Sequence, residues 1–480
     1  MKGKRISSVI AIFLLFISTM LPTEAAASAE RTLKDESIYD LLVDRFNNGI
    51  GTNDVDVDAT NRHAFNGGDF AGIQSRLQHI SEMGFTMISI GPVFETDTYD
   101  GTQARSYEKL EPHFGTAEEL TSLVKAAHEK DIKVIADFPM NDVSKQHDWV
   151  KNEQFLYTET TDGTIQWDSN DDALQQALLQ AVVDFVTTHD LDGVRLTKLE
   201  GYSDAFVNEV IAVVHETKAG AYVITNEESD ADFDATRHIA QEDALRQAFT
   251  KTDANSSGID IFTDANATNI IQLDDLSGSR LTYEMVEARM FPPTRWKVAV
   301  TALFTLPGVP LMTYGSEIAV NGKEAPDSHP LLNFKTDMEL KDLIGNLNTL
   351  RNQSETLRNG DFKMLHNQDG FMVYTRTSED ETWLIAVNNT SKTVDIKIPA
   401  EQIGEKKKLR GLLDSDLVKE TDDGYFHVVL DRELAEVYIA DEDKGFNIPY
   451  LIASLLVYIL FLTFLFLVIK KGRARRKAEG

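Results

Sequence analysis

Side chains able to shuttle protons or grip polar ligands gather in four short stretches: D-F-P-M-N-D at 137–142, G-V-R-L-T at 193–197, Y-V-I-T-N-E-E at 222–228 and Q-L-D-D-L-S-G-S-R at 272–280. Each stretch ends an apolar, β-rich run, which would display its polar groups at a strand end. Carboxylates there could serve as nucleophile, acid or base. Thr197, by contrast, offers a hydroxyl that attacks poorly without a partnered base, and Asn226 an amide with no proton to give. Side chains alternate faces along a strand, so Glu227 is expected to point away from the face of Asn226, and Glu228 to recover that face further out. Asp275 shares the parity of Ser277 and is expected deeper. Glu227, Glu228, Asp274 and Asp275 read as solvated or supporting charge. A buried Arg195 must be paired or hydrated, so it is expected to reach another acid or water. The chain has no cysteine, which excludes thiolate chemistry, disulfides and cysteine-bound zinc.

The elements that would position these groups alternate. Candidate strands fall at 37–43, 86–93, 133–138, 193–199, 221–225, 235–239, 270–273 and 309–313, with helical periodicity between them, as at 117–130 and 172–190. This βα alternation predicts an α/β fold, a (β/α)8 TIM barrel over 30–356 with a short insertion near 142–170. In such a barrel the chemistry sits at the C-terminal ends of the strands. After about residue 360 the texture changes to short alternating segments at 370–377, 381–388, 393–398 and 425–430, which predict a small antiparallel β-sandwich over 357–441.

The two ends differ from this body. Residues 1–29 combine early cations, an apolar run and small residues, the pattern of a signal peptide. Residues 448–469 carry no charge and would form roughly 33 Å of helix at ~1.5 Å per residue, enough to span a bilayer. The cations of 470–480 would then lie in the cytoplasm and the body outside the cell membrane. Formal net charge is -30 although both ends are basic. Such a surface repels nucleic acid and suits a neutral polymer or a divalent cation.

Several motifs place the body in a known family. L-D-G-V-R-L-T-K-L at 191–199 resembles the G-x-R-x-D signature of the α-amylase (glycoside hydrolase 13) family, with Thr197 where the family keeps its nucleophilic aspartate. The segments at 37–46 (S-I-Y-D-L-L-V-D-R-F), 67–73 (G-G-D-F-A-G-I), 111–116 (E-P-H-F-G-T) and 306–317 (L-P-G-V-P-L-M-T-Y-G-S-E) resemble further family motifs in the family's order. Family members set two carboxylates about 5 Å apart, one as nucleophile and one as acid and base. By this resemblance Asn226 stands at the acid/base position and Ser277 at that of a third, sugar-gripping carboxylate. Leu276 and Asp142 replace histidines, and Thr102 and Gln103 replace a tyrosine and an aspartate.

What survives of the inner sugar-binding shell is Asp137, Asn141 and Arg195. Asn48, Asn53, Asp54 and Asp69, with the carbonyls of Ile50 and Gly67, resemble a calcium loop of some relatives, and hard oxygen ligands suit Ca²⁺; Asx and glycine residues also build ordinary turns. The expectation is a membrane-anchored, extracytoplasmic family member without catalytic residues. It would bind an α-glucan or other neutral glycan, or support a membrane or envelope protein. The alternative is an active α-glucan glycosidase or transglycosidase using displaced carboxylates such as Glu228 or Asp275.

Overall fold

The computed structural model describes residues 31–263, 268–336, 338–443 and 448–478. The expected signal peptide and the last two residues of the tail lie outside that set. Eight parallel strands form the barrel: β1 (Ile38–Asp40), β2 (Met87–Pro92), β3 (Lys133–Pro139), β4 (Gly193–Thr197), β5 (Tyr222–Thr225), β6 (Thr236–Arg237), β7 (Asn269–Ile271) and β8 (Val309–Thr313). They pair in the order β5, β4, β3, β2, β1, β8, β7, β6, and a parallel bridge from Ile224 to Ala235 joins β5 to β6 and closes the ring. Each expected strand is present, shortened where the chain turns toward the barrel mouth.

Apolar residues on alternate strand positions fill the barrel. Ile38, Met87, Ile135, Ile224, Ile270, Val309 and Leu311 form the inner cluster, closed by Leu33 and Tyr222. The opposite strand faces join the helices in a larger core. Helix starts are set by local chemistry: Asp69 accepts from Gly72 N–H, Thr116 and Glu119 form a reciprocal capping box, and the side chains of Asp171 and Ser203 cap the helices Asp172–Thr188 and Asp204–Thr217. Close strand approach also has a local cause. A Cβ on Gly193 would lie 2.2 Å from Tyr222 O, so only glycine lets β4 and β5 pair there.

The insertion after β3 forms a one-turn helix, Asp148–Lys151, and a hairpin, Tyr157–Glu159 with Ile165–Trp167. Asn141 anchors it, accepting from Trp167 N–H at 2.8 Å and donating to Glu200 O at 3.0 Å. Beyond the barrel, an antiparallel six-stranded sheet packs on a two-stranded one formed by Val394–Pro399 and Tyr425–Leu430. Tyr374, Trp383, Ile385 and Val437 of the sandwich belong to the barrel's own core cluster. Arg376, fully buried, donates to Gly360, Thr305 and Arg358 carbonyls across the same junction. Barrel and sandwich are therefore one packed body.

The C-terminal helix runs Ile448–Ala478, further than the apolar stretch, because nothing in the basic segment breaks it. Its stretch Tyr450–Lys471 is long and apolar enough to cross a membrane, and its apolar side chains are exposed.

Candidate active site at the barrel mouth

Strand register builds the center of the site. Asp137 on β3 lies directly beside Arg195 on β4. Arg195 donates to both Asp137 oxygens at 2.7 and 2.8 Å and reaches Asp40, at the end of β1, at 3.0 Å. Burial alone would disfavor the guanidinium charge, but the two carboxylates outweigh it and hold Arg195 protonated. Burial likewise pushes the Asp137 carboxyl above its ordinary value, with Arg195 pulling the other way. The expected acid partner of Arg195 is thus present twice.

Around this triad the mouth encloses a cavity of about 390 Å³ whose lining includes Thr197, Asn226, Ser277, Arg237, Lys198 and His329. The remaining lining carboxylates are each held in place. Asp275 accepts from Ser277 N–H (2.9 Å), Gly278 N–H (2.6 Å) and the Ser277 hydroxyl (3.0 Å), and pairs with Arg237 at 2.7 Å. Burial tends to raise its pKa, but Arg237 and these donors prevail and leave it below the ordinary carboxylate range. Glu227 accepts from the backbone N–H groups of Lys198 and Leu199. Asp100 caps its own turn through Thr102. Asn226 Oδ1, at the position of the expected acid/base, is buried without a partner.

Two expectations about neighboring acids are corrected. β5 ends at Thr225, so strand alternation no longer governs 226–228. Glu227 consequently lines the cavity, whereas Glu228 accepts from Ile239 N–H at 3.1 Å and borders a separate outer depression. Asp274 takes the supporting role of its two expected alternatives and not the solvated one: it is buried, accepts from Leu281 N–H and from the Ser316 hydroxyl at 2.8 Å, and faces Arg280 and Arg246.

The sequence reading missed Asp40, Arg237, Gln272 and His329. Arg237 also pairs with Glu242 at 2.8 Å, and Gln272 holds that glutamate at 2.9 Å. His329 accepts from the Tyr99 hydroxyl and donates to Leu276 O at 2.6 Å, and burial lowers its pKa to about 4, so it is neutral near neutral pH. Asp40 could have been found, since it ends a strand within S-I-Y-D; His329 comes from a loop with no such signal. Asp137 and Arg195 line the cavity, while Asn141 is spent on the insertion. At the rim Lys198 pairs with Asp142 at 3.0 Å, both in left-handed backbone conformations that cost non-glycine residues.

At the expected calcium loop, Asp54 accepts from the Asn48 amide and Asp69 from Gly49, Ile50 and Gly72 N–H groups. Asn53 Oδ1 is buried without a partner, and a Cβ on Gly67 would collide with Asn48 Nδ2 at 2.7 Å and Asp54 Oδ1 at 2.8 Å. No group of three or more His, Asp or Glu suited to a metal occurs among the described residues. The donors here are amides, carbonyls and two carboxylates, which fit a hard cation and not a transition metal.

Comparison with known proteins agrees with this architecture. The description "Alpha amylase, catalytic domain" matches residues 40–171, and "Alpha-amylase C-terminal domain" matches 360–438. A solved Anoxybacillus α-amylase is 33% identical with a TM-score of 0.83, covering 87% of this chain and 100% of that one. The chain belongs to the α-amylase family. A Geobacillus thermoleovorans α-amylase, solved with acarbose, is also 33% identical (TM-score 0.81; 86% and 100% covered). A cyclomaltodextrinase of Geobacillus thermopakistaniensis is 26% identical over 422 residues, 78% of this chain and 72% of that protein. Within the family's frame the barrel, its mouth and the sandwich are all present.

The depressed Asp275 gives a pH signature. Its contribution to stability is complete above the unfolded value of about 3.9 and is lost as pH falls through the lower folded value. In urea denaturation, Asp275→Asn should be about 1–3 kcal/mol less stable than the parent at neutral pH, with the gap narrowing as pH is lowered from about 5 toward 2. A gap independent of pH would show that the carboxylate charge contributes nothing.

Proposed function

We propose that the barrel mouth binds an α-glucan without hydrolyzing it by the family's two-carboxylate route. The observation that supports this reading is that the carboxylates lining the cavity are anchored by a cation or by N–H and O–H donors; the motif resemblance adds that Thr197 and Asn226 stand where the family keeps its nucleophile and acid/base. A general acid must release and recover a proton near neutral pH, and an anion held as Asp275 is held does not. The competing reading is an active glycosidase. It draws on the relatives, which are named as α-amylases and cyclomaltodextrinases, and on Glu227 and Asp275 sharing one cavity. Purified protein incubated with maltooligosaccharides and cyclodextrins is expected to give no reducing sugar, and Thr197→Asp alone should not restore turnover because the proton donor would still be missing. Turnover that disappears in Asp275→Asn or Glu227→Gln would establish the glycosidase instead.

Calcium is proposed as a structural ion of the loop formed by Asn48, Ile50, Asn53, Asp54, Gly67 and Asp69. The unpartnered Asn53 Oδ1 supports it, since an ion would supply the missing partner. An ion that binds only the folded state adds about 2.7 kcal/mol at a hundredfold excess over its Kd. Tm should therefore rise between chelator and millimolar calcium, and an Asp54→Asn, Asn53→Ala double variant should lose that rise. An equal Tm in both buffers would remove the ion.

The helix Tyr450–Lys471 is proposed to tether the body to the cell membrane, with the body outside and the basic tail inside, because its apolar surface is left exposed by the described residues. Truncation before residue 448 should move the protein from the membrane fraction to the medium. Retention of the truncated chain after a high-salt wash would place the anchor elsewhere.

A further inference from the structure

Three depressions on the barrel flank, of about 710, 420 and 320 Å³, run into one another. The first two share Leu110, Thr188 and His189, and the last two share Tyr107, Trp149 and Gln154, with Glu108 common to all three. Together they form one groove between helix Asp172–Thr188, the chain leading into helix Ala117–His128, and the one-turn helix of the insertion. No residue of this groove lines the mouth cavity.

Its surface has a definite chemistry. Trp149 is only partly buried, and Tyr107 and Phe155 hold it edge to face, each with ring centers 5.0 Å away. Neither the Trp149 indole N–H nor the exposed Gln154 amide has a hydrogen-bond partner among the described residues. His189 contributes to the groove wall; it is 8% exposed and burial lowers the pKa of its ring. The rim carries Glu108, Asp148 and Asp184, with Lys109 paired to Asp148.

A fixed aromatic body beside free neutral donors and acceptors suits a ligand with apolar ring faces and many hydroxyls. The excess of carboxylates disfavors phosphorylated or acidic chains. Linked depressions, each of a size that takes a small ligand, suit a chain longer than one ring. We propose that this flank groove is a second, non-catalytic binding site for a neutral oligosaccharide, with a sugar ring on Trp149 and hydroxyls directed to the Trp149 N–H and the Gln154 amide. It goes beyond the mouth site and shares with it only the premise that the ligand is a glycan.

Calorimetric titration of the full chain with maltoheptaose, in a detergent without sugar headgroups, tests the proposal. Two classes of site are expected. Gln154→Ala, at an exposed position, should weaken one class at least fivefold and leave the other intact; Trp149→Ala should do the same, with circular dichroism melting as a check on its fold. Ser277→Trp, which fills the mouth from an exposed position, should abolish the class that the groove variants spare. Binding that ignores both groove variants and vanishes in Ser277→Trp would overturn the flank site and keep the mouth site. Binding lost in the groove variants but unchanged in Ser277→Trp would do the reverse, and no heat with maltoheptaose would overturn both.

Discussion

A buried guanidinium facing two carboxylates organizes the open end of this barrel. Isolated, the Arg195 charge would be intolerable at 3% exposure. Asp137 answers it from the adjacent strand and Asp40 from β1, so one cation ties together three strands that diverge toward the mouth. Removing one partner of such a buried set leaves uncompensated charge, at a cost of about 3–5 kcal/mol. The arginine thus has a structural reason to persist whatever the cavity above it does.

The same principle repeats around the cavity wall. Arg237 sits between Asp275 and Glu242, and Gln272 braces Glu242 from behind. Glu227 is fixed by two backbone N–H groups where β4 turns outward. His329 is neutral and uses both ring nitrogens. Catalytic acids and bases need a pKa near the working pH, whereas Asp275 is held below the ordinary carboxylate value and His329 is lowered to about 4. Fixed, oriented polar groups are what preorganized binding of a neutral polar ligand requires.

The insertion after β3 links the mouth to the flank. Asn141 secures its hairpin, Asp142 latches to Lys198 at the rim, and Trp149 on its short helix floors the outer groove. One segment therefore shapes two surfaces, because its His147, Trp149 and Trp167 pack as a unit with Tyr107 from the chain after β2.

The sequence determined the barrel and the sandwich, because burial patterns with periods of two and 3.6 residues follow directly from which faces leave water. It also brought Thr197, Asn226 and Ser277 to the barrel mouth, where all three line the cavity, since each follows an apolar strand run. Tertiary structure decided which acids meet which cations. Asp40 lies 155 positions from Arg195 in the chain, yet strand order places the two within ion-pairing distance. Glu227 entered the cavity because β5 ends at Thr225, so alternation does not extend over 226–228. Arg237, on β6, meets Asp275 and Glu242 only through tertiary packing, and His329 and the groove around Trp149 depend on loops whose paths no local pattern encodes, since they are set by packing between segments far apart in sequence.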